Sequence, residues 1–180
     1  MPTTYSLAPD DVRALVRETM RAHHPDLAEA GVAFGILFAE NPDGDPVKAH
    51  GYPALACVRV VPLRDRLTKG YDVELLIDLH AWDGLRPEHR AAVVDHELTH
   101  VRRVPNSPKA VAAGELPWKT DDLGRPRVKL RKGDWAVGDG FEEVTARHGE
   151  FAAEFLNVQR ALALARAAKE RGEQDRREAA

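Results

Sequence analysis

The pentad His-Glu-Leu-Thr-His, from His96 to His100, lies in a stretch whose sequence predicts an α-helix. Pro87 and Glu88 stand in the first turn of that helix, and a proline followed by an acidic residue is typical of a helix start. Residues four apart lie on one face of a helix, so both imidazoles can bind one Zn²⁺ while Glu97 reaches the attacking water. The pentad therefore predicts a helical zinc site of the kind found in hydrolases.

Apolar side chains recur on a different side of this predicted helix. Val94, Leu98 and Val101 follow one another at helical spacing, whereas the two histidines and Glu97 share another side with Val93. We expect one face of the helix to pack into the core and the other to bind the metal.

A single domain is predicted from the 180 residues, of which 43% are hydrophobic and 31% are charged. We take residues 1–180 as one domain in which 173–180 form a charged, frayed tail. The net charge of −3 gives no electrostatic reason to expect a nucleic-acid or membrane partner. Cys57 is the only cysteine, so no internal disulfide is possible, and its apolar surroundings predict a buried thiol without a catalytic role.

The location is predicted from what the sequence lacks. Residues 1–9 contain no basic stretch followed by an apolar run, and nowhere do eighteen apolar residues follow one another. We expect a cytoplasmic protein, and the sequence leaves its oligomeric state open.

Periodicity predicts one helix and three strands before the pentad. The helix runs from Asp10 to about His23, and we expect His23 and His24 to interact favourably with its dipole. Strands are predicted at 32–39, 55–61 and 71–81, and we expect them to form an antiparallel sheet. Apolar and polar residues alternate in the third strand, which leads directly into the pentad helix.

A proline-rich loop and a basic segment are predicted after the pentad. The loop covers residues 104–126 and could border a substrate cleft. In the segment that follows, four cations alternate with other residues. No aromatic residue stands between the cations, so we favour a solvated edge strand over a nucleic-acid contact. The four cations are Arg125, Arg127, Lys129 and Arg131.

A final helix is predicted from Asp139 onward. Its apolar residues fall within a narrow arc, and His148 falls within the same arc. The apolar residues of the arc are Phe141, Val144, Phe151, Phe155 and Leu162.

Catalytic zinc usually takes three protein ligands, so a third must come from outside the pentad. No histidine occurs between His100 and His148, which excludes the pattern with a short-spaced third histidine. We predict His148 as the third ligand because it points with the apolar residues of the last helix, and Glu143 is the second choice. The alternative for His148 is a core histidine that is hydrogen-bonded to the backbone. The other candidates that stay open are Glu142, Asp134 and Asp139.

The second half of the chain resembles phage-type metallopeptidases of the zincin group, which share a D-H-E-L-x-H centre. Residues 95–101 match that centre, and the similarity runs from the strand at 71–81 through Gly133-Asp134-Trp135 and 138–141 to 147–149. The resemblance implies an α+β zincin-like fold in which an antiparallel sheet packs on the active-site helix and a long C-terminal helix follows. One departure is Gly133, which stands where relatives often have a histidine.

The resemblance also implies zinc-dependent cleavage of peptides or proteins, with His96 and His100 as ligands and Glu97 as base. In that reaction zinc lowers the pKa of water, and Glu97 accepts the water proton and returns it to the leaving amine. The alternative is a catalytically degenerate module of the same fold that binds a protein or nucleic acid through the basic segment and the 104–126 loop. Zinc-dependent hydrolysis of a peptide pool separates the two hypotheses.

Overall fold

The computed structural model describes residues 2–49, 52–131 and 141–152, apart from the side chains of Ala49 and Tyr52. In chain order the strands are β1 Thr4–Leu7, β2 Phe34–Glu40, β3 Lys48–Ala49, β4 Tyr52–Pro53, β5 Ala56–Val60, β6 Val73–Asp78, β7 Val101–Arg103 and β8 Val128–Leu130. The helices are α1 Asp10–His23, α2 Pro25–Glu29, α3 Leu63–Lys69, α4 Leu79–Asp83, α5 Pro87–His100, α6 Pro108–Ala112 and α7 Phe141–His148, and a 3₁₀ turn, Gly149–Phe151, follows α7. No helix among these residues is long and apolar enough to cross a bilayer.

The central sheet has four strands in the order β1-β2-β6-β5. The predicted antiparallel pairing is confirmed for β5 with β6, whereas β2 runs parallel to β6. The sheet is therefore mixed, because β6 inserts between two strands that precede it in the chain. Strand β1, which pairs antiparallel with β2, was not predicted, since all four of its residues are exposed and show no alternation of burial.

The third predicted strand is shorter than expected because Asp78 starts a helix. Its Oδ1 accepts a hydrogen bond from the backbone N–H of Ala81 at 2.8 Å, which is the geometry of an N-cap. Its Oδ2 accepts from the N–H of Val47 at 2.7 Å. The predicted strand at 71–81 therefore ends at Asp78, and its last residues form α4.

Helix α5, which carries the pentad, is buried on all sides over residues 92–99 rather than on one face. Every residue from Ala92 to Thr99 is buried. Val94 and Leu98 pack in the same core cluster as the sheet residues Leu75 and Ile77. The prediction of one packed face and one coordinating face is wrong in this respect, because α1 and α7 pack against α5 in addition to the sheet.

The final helix is interrupted where the sequence predicted continuity. Phe141 and Val144 are buried on α7 as predicted. Gly149 then has a φ of +54°, a conformation that favours glycine, and Phe151 belongs to the 3₁₀ turn that follows. Phe155 and Leu162, the other two residues of the predicted arc, lie outside the described residues.

The basic segment forms part of a short ribbon. Strand β8 pairs antiparallel with β7, which directly follows α5, and Arg102 lies opposite Lys129. The predicted strand is confirmed over Val128–Leu130. The preceding loop is not free of regular structure, because it contains α6.

Glu74 is buried on the side of β6 opposite the core, at 3% exposure. The Tyr71 hydroxyl donates to Glu74 Oε2 at 2.8 Å, Lys69 Nζ lies 3.3 Å from the same oxygen, and Arg59 pairs with Oε1. Gly35 leaves space for the Tyr71 ring, since a Cβ there would lie 2.5 Å from it. Burial by itself raises the pKa of Glu74, but the hydrogen bonds from Tyr71 and Lys69 and the charge of Arg59 outweigh it and lower the pKa.

We predict that Glu74→Gln lowers the free energy of unfolding at pH 7 by roughly 1–3 kcal/mol, because the amide lacks the negative charge that pairs with Lys69 and Arg59. Since the folded-state pKa is lowered, this contribution is complete above the unfolded pKa of about 4.3 and is lost as the pH falls below it. Urea unfolding of the wild type and variant at a series of pH values measures the difference. Glu40→Gln, at an exposed end of β2, is the control. A difference that stays constant down to acidic pH would contradict the prediction.

Candidate metal centre

His96 and His100 lie on the last turns of α5 with their ring nitrogens facing each other. The two Nε2 atoms are 3.3 Å apart, and the rings meet edge to face with centroids 5.0 Å apart. His96 is 9% exposed, and His100 is half-buried. The i, i+4 spacing predicted this proximity, and the structure confirms it.

Glu97 completes a group of possible metal ligands with the two histidines. One ligand atom from each of the three residues lies within 4.8 Å of the others, and Glu97 is 6% exposed. Tetrahedral zinc with Zn–N bonds of about 2.0–2.1 Å would set its two nitrogens about 3.3 Å apart. The separation of the two Nε2 atoms fits that requirement.

Phe141, the first residue of α7, packs against both imidazoles. Its ring centroid lies 4.9 Å from that of His96 and 4.8 Å from that of His100. Phe141 is 4% exposed, so the contact is shielded from solvent. The sequence predicted a buried Phe141, but nothing in the sequence indicated that its ring would contact the two histidines.

The sequence of this chain matches a known protein family. A family model described as "Putative phage metallopeptidase" matches residues 3–166. The chain belongs to this family. No curated protein and no solved structure matches it. The match extends over the first half of the chain, where the sequence alone was not diagnostic. Membership in a metallopeptidase family implies a hydrolase that uses a divalent metal on peptide or protein substrates.

Asp95 directly precedes the first histidine of the pentad and is fully buried. His24 Nε2 lies 2.6 Å from Asp95 Oδ1, and His148 Nε2 lies 2.8 Å from Oδ2. Arg147 donates from Nε to Oδ2 at 2.8 Å and from Nη2 to Oδ1 at 3.0 Å. Burial by itself raises the pKa of Asp95, but the hydrogen bonds from His24 and Arg147 outweigh it and hold the pKa well below its usual range.

His148 is therefore placed beside Asp95 and not in the group formed by His96, Glu97 and His100. The alternative from the sequence was a core histidine hydrogen-bonded to the backbone, whereas the partner of the half-buried His148 is the Asp95 carboxylate. Its assignment as a metal ligand stays a prediction. His23 packs edge-on against the His148 ring with centroids 6.2 Å apart, and burial is the main cause of its lowered pKa.

The contact of His24 with Asp95 was missed by sequence reasoning, which gave His24 only a role at the helix end. The two residues are 71 positions apart, so no local spacing links them. The one available signal was a carboxylate inside an apolar helix, since a buried charge needs a partner.

The remaining candidates for a third ligand fall into two groups. Glu142 and Glu143 are exposed, and Glu143 Oε2 lies 3.4 Å from Arg147 Nη1. Neither belongs to the group around the histidine pair. Asp134 and Asp139 lie outside the described residues.

Cys57 on β5 is half-buried, whereas its apolar surroundings predicted a buried thiol. Burial, with a smaller contribution from the negative charge of Glu97, raises the pKa of its thiol to about 11. Such a thiol is protonated at neutral pH and is a poor nucleophile. This state agrees with the predicted absence of a catalytic role.

Proposed function

We propose that the chain is a zinc-dependent metallopeptidase in which His96 and His100 bind the metal and Glu97 is the general base. The observation that carries the proposal is the 3.3 Å separation of the two Nε2 atoms with the Glu97 carboxylate beside them. Membership in a family of phage metallopeptidases supports the same chemistry. Zinc is favoured among divalent metals because two imidazoles suit its borderline-soft character.

The roles of the chain's own residues follow from their chemistry. Bound zinc would supply a Lewis acid that polarises the scissile carbonyl and acidifies water. The Glu97 carboxylate would accept the proton of the attacking water and later donate it to the nitrogen of the leaving amine. His96 and His100 must each present an unprotonated ring nitrogen to bind a metal, and the Phe141 ring packs against both imidazoles. No serine or cysteine nucleophile is needed.

We predict about one zinc per chain in the purified protein and loss of that zinc in His96→Ala and His100→Ala, because each substitution removes one of the two imidazole ligands. Metal analysis by mass spectrometry after dialysis measures the stoichiometry. His80→Ala is a matched control, since His80 is an exposed histidine on α4. Full zinc occupancy in the double variant of His96 and His100 would eliminate the site.

Glu97→Gln is predicted to keep zinc bound while hydrolysis falls by a factor of about 10² or more, because the amide keeps the side-chain shape but cannot accept a proton. Hydrolysis of a peptide pool by zinc-loaded wild type and variant, read by mass spectrometry, tests this. Wild-type turnover in the variant would remove Glu97 as the base. A zinc-loaded wild type that cleaves no peptide would favour the alternative of a binding module.

The third ligand is tested by alanine variants of five candidates compared side by side. A lost ligand should weaken zinc affinity by orders of magnitude, whereas a lost core partner should lower the melting temperature with affinity changed less than about tenfold. Because His148 Nε2 is engaged by Asp95, we expect His148→Ala to show the second behaviour. Chelator competition measures the affinity, and loss of zinc in His148→Ala alone would restore it as the ligand. The other variants are Asp134→Ala, Asp139→Ala, Glu142→Ala and Glu143→Ala.

A further inference from the structure

The Asp95 carboxylate joins three parts of the chain that are distant in sequence. It lies inside α5, and its partners come from the end of α1, through His24, and from the last turn of α7, through Arg147 and His148. Both carboxylate oxygens are engaged, and the Arg147 guanidinium binds them in a two-pronged contact. Such a bidentate contact fixes the relative orientation of the two side chains as well as their distance, because the guanidinium and carboxylate planes must align.

Helix α7 connects this contact to the histidine pair. Arg147 and His148 lie at its end, and Phe141 lies at its start, six and seven residues away. At a rise of about 1.5 Å per residue these positions are roughly 9–10 Å apart along one short helix. A helix this short moves as a unit, so its attachment at Asp95 also sets where the Phe141 ring lies. That ring contacts both His96 and His100.

We propose that Asp95 is a positioning residue for the metal-binding pair: by binding Arg147 and His148 it seats α7 so that Phe141 holds the imidazoles of His96 and His100 in place. This inference rests on the proposed function, since it concerns the pair that would bind zinc. Asp95 itself contacts neither imidazole in any described hydrogen bond, so it acts through the helix.

Stability alone does not account for a charge at this position. Removing the Asp95 carboxylate from water costs several kcal/mol, and an ion pair with a buried charge often contributes no more stability than apolar residues of the same volume. What a buried carboxylate and a guanidinium add is a single defined orientation of two helices. The need for that orientation is greatest beside Asp95, because the adjacent residue is His96 and Phe141 must reach both rings.

A second buried aspartate that is paired with an arginine provides a control. Arg66 and Asp72 are both 3% exposed, and Arg66 Nη1 lies 3.3 Å from Asp72 Oδ1. Arg66 also donates to the carbonyls of Val61 and Pro126, and Asp72 accepts from the N–H of Ala33. None of these contacts involves α5 or α7. Asp72→Asn therefore removes a buried charge of the same kind without a described connection to the histidine pair.

The experiment compares Asp95→Asn with Asp72→Asn, using Zn²⁺ alone for affinity and Co²⁺ alone as a spectroscopic probe. We expect Asp95→Asn to weaken zinc affinity by about 10- to 100-fold and to change the visible absorption of the cobalt form, because the two imidazoles lose their fixed arrangement. We expect Asp72→Asn to lower the melting temperature with zinc affinity within about twofold and an unchanged cobalt spectrum. Equal effects of the two variants on affinity and spectrum would overturn the proposal.

A double-mutant cycle tests whether Asp95 acts through Phe141. Phe141→Ala is measured alone and together with Asp95→Asn. If the effect passes through the ring, the double variant binds zinc about as weakly as the weaker single variant, because the second change has nothing left to disturb. Additive losses in the logarithm of the affinity would overturn the route through Phe141. If Asp95→Asn does not fold, Arg147→Lys keeps the charge and removes the two-pronged contact, and wild-type affinity and spectrum in that variant would overturn the proposal.

Metal binding by the wild type distinguishes failure of the proposed zinc site from failure of the positioning role of Asp95. A wild-type protein that binds no Zn²⁺ or Co²⁺ overturns the proposed function and this inference with it. A wild-type protein that binds zinc, with Asp95→Asn indistinguishable from it in affinity and spectrum, overturns this inference alone.

Discussion

The buried carboxylate of Asp95 is the interaction on which the arrangement around the histidine pair depends. A charge without partners inside α5 would cost several kcal/mol, so cationic or hydrogen-bonding side chains must reach it. They come from His24 near one end of the chain and from Arg147 and His148 near the other. These polar contacts bring the end of α1 and the end of α7 against α5, the helix that carries the pentad.

Enclosure of this kind changes what the histidine pair can do. An exposed pair of histidines on a helix surface would bind water and change rotamer freely, whereas the rings of His96, His100 and Phe141 here pack against one another. Glu97 is also largely shielded from solvent. Electrostatic interactions are stronger in such surroundings than in water, which suits a site that must hold a cation and move a proton. His100 is half-buried.

Local signals explain what the sequence predicted correctly. The start of α5 at Pro87 follows from the low cost of proline in the first turn, and the meeting of His96 with His100 follows from helical periodicity. The end of α1 at His23 is explained in the same way by the following proline. Each of these features depends on residues within a few positions of one another.

The features that sequence reasoning missed depend on partners far along the chain. Strand β2 runs parallel to β6 because β6 inserts between β2 and β5, and no local sequence pattern encodes that insertion. Helical periodicity correctly placed His148 on the same face of α7 as Phe141. Periodicity gives only the direction of a side chain around the axis of its own helix, not the element that this face meets. The rotation of α7 against α5 decides whether His148 meets a metal or Asp95, and that rotation is fixed by contacts across 53 positions.

The insertion of β6 between β2 and β5 also determines the order in which the molecule can assemble. Phe34 pairs with Val73, so a long intervening stretch must be made before the sheet can close. Non-local pairing of this kind slows folding, because chain entropy is lost before the contacts form. Helix α5 has its packing surface only once the sheet exists, and α7 follows later still in the chain. During synthesis from the amino terminus, the contact of Phe141 with the histidine pair therefore forms only after α7 has been made.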